Sequence, residues 1–515
     1  MRTSKPPKDL NCKEEQTLNI KKAGEQIKNT VRAYLAKDDA GRPLIPQYKQ
    51  RPIFLMGAPG IGKTEIISQI AAEMGIGLLT YSMTHHTRQS AMGLPIIRKK
   101  EFEGESFEAT EYTVSEIIAA VYGMMQRSGV RSGILFLDEI NCVSETLTPV
   151  MLQFLQYKEF GGRKLPEGWI VVTAGNPPEY NSSVRDFDTV TWDRLKRIDV
   201  EPDIGVWKEF AYANGVHGAV ISYLEIKPQN FYIIDKTATG RSFVTARGWD
   251  DLSRVLEVYE KLGIEADKEL VGQYLQNSKV AEDFAAYYEL YRKYESDYRV
   301  TDILGGIQDK DITERAREAG FDERYALLGL LIEAAGSECA SLLTLDSDLM
   351  LIKKELSQVK TACESGGDAA ELLHECIAEL DGEHEKLKAA NSLSKAADDS
   401  FIYRRQRLKS YAREAAGGFE GAKRKYSEDT AELLAKTKDC KSHLDNLFRF
   451  CSDAFGTGQE LIIVLTEIAV NPNTSRFIAA YGCDEYYRYD KELMFHERRL
   501  TILDELESLK KQQQQ

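Results

Sequence analysis

The chain has 515 residues, 43% hydrophobic and 29% charged, enough apolar material for about three to four folded units and too much for a disordered chain. Its formal net charge of −14 gives no general electrostatic footprint for nucleic acid, and there is no run of 18 or more apolar residues to span a membrane. The N-terminal stretch MRTSKPPKDLNCKEEQ lacks the apolar segment of a secretory signal, and the eight cysteines include no C-x-x-C pair, which together point to a reducing, cytoplasmic setting.

The spacing of Ile20, Ala23, Ile27, Val31 and Leu35 predicts a helix over 14–37. A Gly- and Pro-containing break follows. From about 50 to 200 the short apolar runs PIFLM, GLLTYSM, GILFLDEI and WIVVTAGN alternate with helical stretches. Runs without polar alternation fit strands buried on both faces, hence a parallel sheet flanked by helices. After residue 205 the strands are expected to stop: VWKEFAYANG and FVTARGWDDLSRVLEVYEKLG read as a helical lid. Beyond 320 the pattern is helical throughout. Leu342, Leu345, Leu349, Ile352, Leu356 and Val359 trace a heptad seam that Gly366-Gly367 interrupts. A second helix runs through Leu373, Ile377, Leu380, His384 and Leu387, and Gly417-Gly418 marks another turn. Phe419, Ala422, Tyr426, Leu433, Cys440, Leu444, Leu447 and Cys451 then share a face. Such helices fold back as antiparallel hairpins within one chain, with homo-oligomerisation through the seam as the alternative. The terminal QQQQ reads as a frayed end. The expected fold class is an α/β core with a parallel sheet, a helical lid and a long all-α C-terminal region of antiparallel helical hairpins. The expected boundaries are 1–45 for the lead-in, 46–204 for the core, 205–320 for the lid and connecting helices, and 321–515 for the helical accessory region.

Directly after the first strand stands GAPGIGKT, from Gly57 through Ala58, Pro59, Gly60, Ile61, Gly62 and Lys63 to Thr64. The glycines let the backbone curl so that its N–H groups face phosphates, at the positive end of the helix EIISQIAAEMG. Lys63 places a cation on the β- and γ-phosphates, and Thr64 offers a hydroxyl to Mg2+. In ILFLDEI, an apolar strand ends on adjacent carboxylates that are expensive to bury without a metal or a reaction. Asp138 is placed to hold the Mg2+ water shell, and Glu139 to accept a proton from an attacking water. The strand WIVVTAGN ends on Asn176, which orients that water or else merely opens the Pro177-Pro178 turn.

Three such strands in this order resemble the ATPases associated with diverse activities, the AAA+ class. The segment THHTRQSAMGLPIIRKKEFEGESFEATEYTVSEI, and the Gly-Gly turn of QYKEFGGRKLPEGW, are similar to the helix-2 and pre-sensor hairpin insertions of its MoxR branch. McrB-like and MCM-like members resemble it less closely. The likeness covers roughly 15–275 and implies ATP as the nucleotide, with Mg2+, in a homo-oligomeric ring expected to be hexameric. It implies an arginine finger from the neighbouring subunit: Arg194, in TWDRLKRIDVEP, with Arg197 as the alternative. It also implies a lid arginine, Arg247, opening a helix after Thr245, with Arg241 and Arg254 as blander choices. The two hairpins, the second carrying Lys158, Arg163 and Lys164, would be the working parts. MoxR relatives act on proteins carrying a von Willebrand A domain, so the expected activity is ATP-driven remodelling of a protein partner. A McrB-like nucleic-acid motor is the second reading, and a P-loop switch or small-molecule kinase the third.

Overall fold

The computed structural model describes residues 17–102, 105–180, 184, 187–237, 240–307 and 309–492; Cys12 and the terminal QQQQ lie outside them. The chain divides into two compact units, Met1–Asp203 with Glu383–Ser394, and Ile204–Gly382 with Lys395–Gln515.

In the first unit the elements run β1 (Leu18–Asn19), α1 (Ile20–Leu35), β2 (Ile53–Gly57), α2 (Lys63–Met74), β3 (Gly77–Ser82) and α3 (Arg88–Met92). They continue with β4 (Pro95–Phe102), β5 (Glu105–Tyr112), α4 (Glu116–Ser128), β6 (Gly133–Asp138) and α5 (Thr148–Tyr157). β7 (Glu159–Phe160), β8 (Arg163–Lys164), β9 (Trp169–Gly175), α6 (Thr189–Asp193) and β10 (Lys196–Glu201) complete the unit. Six strands form one parallel sheet in the order β1-β10-β2-β9-β6-β3. Alternation sorts its side chains. Phe54, Met56, Leu135, Leu137 and Val171 join one core with Ile117, Val121 and Met151 of α4 and α5. Ile53, Leu55, Ile134 and Phe136 point the other way and are also fully buried, so both faces are covered, as a parallel sheet requires. Of the helix predicted over 14–37, residues 14–16 lie outside the described residues, and the helix runs Ile20–Leu35. Asn19 caps it, accepting from the Lys22 N–H at 3.0 Å, and Leu18–Asn19 pair with Val200–Glu201 as a sheet edge.

Two antiparallel hairpins interrupt this core. β4 and β5 pair from Pro95↔Tyr112 to Phe102↔Glu105 between β3 and β6, and β7 and β8 pair before β9. The short hairpin turns on Gly161 and Gly162 at φ 55° and 79°, the left-handed pair that a two-residue turn demands. A Cβ on Gly161 would stand 2.2 Å from the Met92 carbonyl oxygen and 3.2 Å from Tyr112 Cβ, so the two insertions pack against each other.

The second unit opens with α7 (Ile204–Ala213) and α8 (Gly218–Ile226). The expectation that strands stop after 205 is wrong: β11 (Ile233–Thr237) and β12 (Gly240–Val244) form an antiparallel hairpin before α9 (Ala246–Leu262). The β-favouring pairs Ile233-Ile234 and Phe243-Val244 face each other there, and Thr245 starts α9 by accepting from the Gly248 N–H at 3.2 Å. The remaining elements are helices: α10 (Lys268–Tyr274), α11 (Ser278–Tyr298), α12 (Val300–Leu304), α13 (Lys310–Glu318), α14 (Phe321–Glu364), α15 (Ala369–Ala389), α16 (Lys395–Glu414), α17 (Phe419–Phe455), α18 (Gln459–Val470) and α19 (Pro472–Tyr481). α14 is the axis, touching α8, α11, α16, α17, α18 and α19. Leu342, Leu349, Ile352, Leu356 and Val359 of the predicted seam are buried, as are Leu433, Cys440, Leu444, Leu447 and Cys451 of α17. α14 is long and apolar enough to cross a membrane, but 56% of its most apolar window is buried among its neighbours. The seven described cysteines are free thiols.

This unit also buries charge. Lys208, on α7, bonds Glu467 at 2.6 Å and pairs with Glu225; burial opposes its charge, but the two carboxylates raise its pKa. His217 Nε2 lies 3.0 Å from Glu260, which also meets Tyr288 at 2.9 Å and Arg292 at 2.8 Å. A cavity of about 420 Å³ is lined by Glu225, Glu260, Glu333 and Glu467, each already engaged by a cation or a tyrosine hydroxyl.

Candidate functional site

The C-terminal ends of β2, β6, β9 and β3 converge. β2 delivers the chain into the loop Gly57–Gly62, in which Gly60 and Gly62 take φ 73° and 90°, and α2 begins at Lys63. The loop's N–H groups and the first turn of α2 make an anion cradle. Lys63 is 8% exposed, and its Nζ donates to the Gly57 and Ala58 carbonyls at 2.8 Å each and to Asn176 Oδ1 at 2.9 Å. These acceptors hold the ammonium against the loop, between β2 and the residue that follows β9.

β6 ends on Asp138, whose Oδ2 accepts from Thr64 Oγ1 at 3.1 Å and whose Oδ1 accepts from the Glu139 N–H at 2.9 Å. Thr64 and Asp138 thus meet across the loop, an oxygen pair suited to a hard cation that keeps most of its water shell. No group of three or more His, Cys, Asp or Glu arranged for a metal occurs among the described residues, so a cation here would draw its other ligands from water and phosphate. Glu139 adopts a left-handed backbone, φ 55°, where the chain leaves the sheet. Its Oε2 accepts from Ser82 Oγ and Thr84 Oγ1, each at 3.2 Å. Ser82 ends β3 level with Asp138. These two hydroxyls escaped the sequence reading; the only signal was a Ser-x-Thr at the end of a strand, with nothing to say which strand lay beside it.

β9 ends beside Asn176. Its backbone oxygen accepts from Asn141 Nδ2 at 2.8 Å, and Asn141 is itself 3% exposed. Asn141 therefore ties the turn after Glu139 to the tip of β9, a second partner that the sequence reading missed. Lys63, Thr64, Asp138, Glu139 and Asn176 are brought together.

Within the same unit, Arg194 and Arg197 are not among them. Arg194 caps the end of α6, exposed, with Nη1 donating to Gln156 Oε1 at 2.7 Å. It precedes β10, whose register begins at Lys196↔Ile53 and ends at Val200↔Gly57. Arg194 thus stands at the opposite end of the sheet from its own phosphate loop, about 13 Å away along the strand alone. Arg197 is more engaged: Nε donates to Asp199 Oδ1 at 2.9 Å, and the guanidinium lies 4.9 Å from the Trp192 ring centre. Arg247 belongs to the second unit, exposed in the first turn of α9. Arg254 is paired with Asp250 at 2.6 Å, and the Arg241 side chain lies outside the described set.

One assignment of the basic hairpin is wrong. Lys158 is 3% exposed, and its Nζ donates to the Gln47 carbonyl at 2.7 Å and the Gln50 carbonyl at 2.5 Å. Burial lowers its pKa to about 8. It anchors the hairpin to the core, and only Arg163 and Lys164 face outward.

Residues 52–195 match the AAA domain family (dynein-related subfamily). That segment holds Lys63, Asp138, Glu139, Asn176 and Arg194. No curated protein matches the chain. Among solved structures, one mutant of Thermotoga maritima RuvB is similar at 15% identity and a TM-score of 0.27, over 54% of this chain and 78% of that one. A second RuvB mutant from the same organism is similar at 13% identity and a TM-score of 0.28, over 55% and 77%.

Proposed function

We infer that this chain, an ATP-hydrolysing AAA+ protein, works as a ring ATPase of MoxR type that remodels a protein partner, one carrying a von Willebrand A domain. The observation that carries the ring is the placement of Arg194. It is exposed at the far end of the sheet from Lys63, which supports a role at the site of a neighbouring copy rather than at its own. A hexamer closes such head-to-tail contacts.

Within each site the loop N–H groups and Lys63 bind the phosphates of ATP. Thr64 and Asp138 would hold Mg2+, the latter through water, and the ion would supply charge neutralisation for the phosphates. Glu139, released from Ser82 and Thr84, takes a proton from the attacking water, which Asn176 orients. Arg194 of the adjoining copy stabilises the transferring phosphoryl group, and Arg247 reports the nucleotide state to the helical unit.

The paired hairpins support the MoxR-type reading, since they interrupt the core where that branch carries its insertions. Burial of Lys158 weakens the nucleic-acid alternative by removing one of three proposed phosphate contacts. The test is capture by the Glu139→Gln protein held in ATP. Recovery of a von Willebrand A protein, lost when ATP is omitted, is expected; recovery of nuclease-sensitive nucleic acid instead would overturn the reading.

A further inference from the structure

β3 is an edge strand of the six-stranded sheet. Its Gly77 N–H is used inward, donating to the Ser132 carbonyl at 3.0 Å. Because successive residues of a strand point their peptide groups to opposite sides, the N–H and C=O of Leu78 both face outward, where an edge ordinarily leaves them to water. Here they are met by a segment more than 300 residues away in sequence. The Leu78 N–H donates to the Ala390 carbonyl at 3.0 Å, and the Leu78 carbonyl accepts from Asn391 Nδ2 at 3.5 Å.

The turn that does this is built to present those two groups. α15 ends at Ala389, and Asn391 takes the left-handed conformation, φ 51°. The Ser392 N–H returns to the Leu387 carbonyl and the Asn391 N–H to that of Lys388, each at 3.1 Å, which closes the helix end in a Schellman motif. Ala390 is fully buried and Ser392 is 5% exposed. Residues 383–394, which include the last turns of α15, thus cluster with the ATPase core, while α15 up to Gly382 and α16 from Lys395 belong to the other unit.

The strand so clamped has a second role at its other end. Ser82, four residues along β3 from Leu78, bonds Glu139, as does Thr84 just beyond. Both bonds measure 3.2 Å. Ordinary O–H···O bonds lie at about 2.5–3.0 Å, so these two are already long and a small slip of β3 weakens them further. We propose that the α15–α16 turn, through the Ala390 carbonyl and the Asn391 amide, positions β3 and thereby sets how firmly Ser82 and Thr84 restrain the Glu139 carboxylate. Asn391 is then a positioning residue for ATP hydrolysis, acting through β3 on the carboxylate whose Oε2 accepts the two hydroxyls. The chain enters and leaves the turn through α15 and α16, so strain along those helices becomes an input to the ATPase rate. This inference rests on Glu139 as the proton acceptor.

Asn391→Gly tests it in the full-length protein. Glycine keeps the left-handed backbone without strain and deletes only the amide. Asn391→Asp is the second variant: it tolerates the same backbone, but its carboxylate cannot donate to the Leu78 carbonyl. The expected result for both is a kcat raised about threefold, with KM for ATP unchanged within about twofold, as loss of one modest hydrogen bond allows. In a Ser82→Ala, Thr84→Val background the same changes at 391 should add nothing. Wild-type kcat in both Asn391 variants would overturn the proposal, and so would an undiminished rise in that background. A Glu139→Gln protein that still hydrolysed ATP would instead overturn the reading beneath it.

Discussion

Lys63 Nζ and Asn176 Oδ1 are hydrogen-bonded at 2.9 Å, joining the phosphate loop to the tip of β9. The ammonium also holds two loop carbonyls, so its position is fixed by three acceptors before any phosphate arrives. ATP has to take over these bonds, and a side chain unable to make the exchange should not bind it.

Lys63→Ala is therefore expected to abolish ATP binding, read by calorimetry or by a fluorescent nucleotide. Glu139→Gln should bind ATP as tightly as wild type and lose at least about 100-fold in turnover, the scale of a general base. Wild-type turnover in Glu139→Gln would move the proton acceptor elsewhere.

Arg194→Ala should assemble, bind ATP and hydrolyse it about 1,000-fold more slowly, as loss of an arginine finger implies. Mixing supplies the sharper result. A ring of Lys63→Ala and Arg194→Ala subunits contains some sites with an intact loop facing an intact neighbouring arginine, so two inactive proteins should regain activity together. An active Arg194→Ala protein would shift the finger to Arg197.

Lys158 predicts a pH effect on stability. Burial lowers its pKa to about 8 from 10.5. Below 8 both folded and unfolded chains carry the charge, and the folded one bears the desolvation cost. Between 8 and 10.5 the folded protein has released the proton and the unfolded chain has not, so this site's contribution to stability rises with pH. The melting temperature of wild type relative to Lys158→Met should climb across that window. Lys158→Met should also be less stable by about 1–3 kcal/mol near neutral pH, because two buried carbonyls lose their donor.

His217 predicts the opposite slope. Burial disfavours its imidazolium, but the Glu260 hydrogen bond and the Glu333 and Glu260 charges outweigh burial and raise its pKa. Glu260 in turn, despite burial, is held at about 2 by His217, Tyr288 and Arg292. A raised histidine pKa stabilises the fold at pH below the unfolded value, and that contribution is lost as pH rises through the folded one. His217→Gln should lose this pH dependence, checked by thermal melts of the whole chain across the histidine range.

What was legible in the sequence was local or periodic. The loop Gly57–Thr64, the acids ending β6 and Asn176 ending β9 each sit within one strand and the turn after it, and apolar runs report burial on both faces. The hairpin β7–β8 was legible because Gly161-Gly162 supply the left-handed turn. Leu18–Asn19 gave no signal, since two residues carry no period. β11–β12 was hidden because no Asn-Gly, Asp-Gly or Gly-Gly pair stands in the sequence between Ile233-Ile234 and Phe243-Val244. Lys158 misled because charge reads as surface, whereas here two carbonyls from a preceding turn make burial tolerable. Ser82, Thr84 and Asn141 depend on which strands are neighbours, and the contact of Leu78 with Ala390 and Asn391 joins segments that no window of sequence contains together.

The seating of Gly161 against Met92 and Tyr112 changes how the two insertions should be counted. They are one packed body, with the glycine turn of β7–β8 seated against the end of α3 and β5. Its base is fastened by Lys158, whose ammonium grips the carbonyls of Gln47 and Gln50 just ahead of β2. The insertions and the strand that leads into the loop Gly57–Gly62 therefore share one anchorage, and a change at Lys158 should be felt by both.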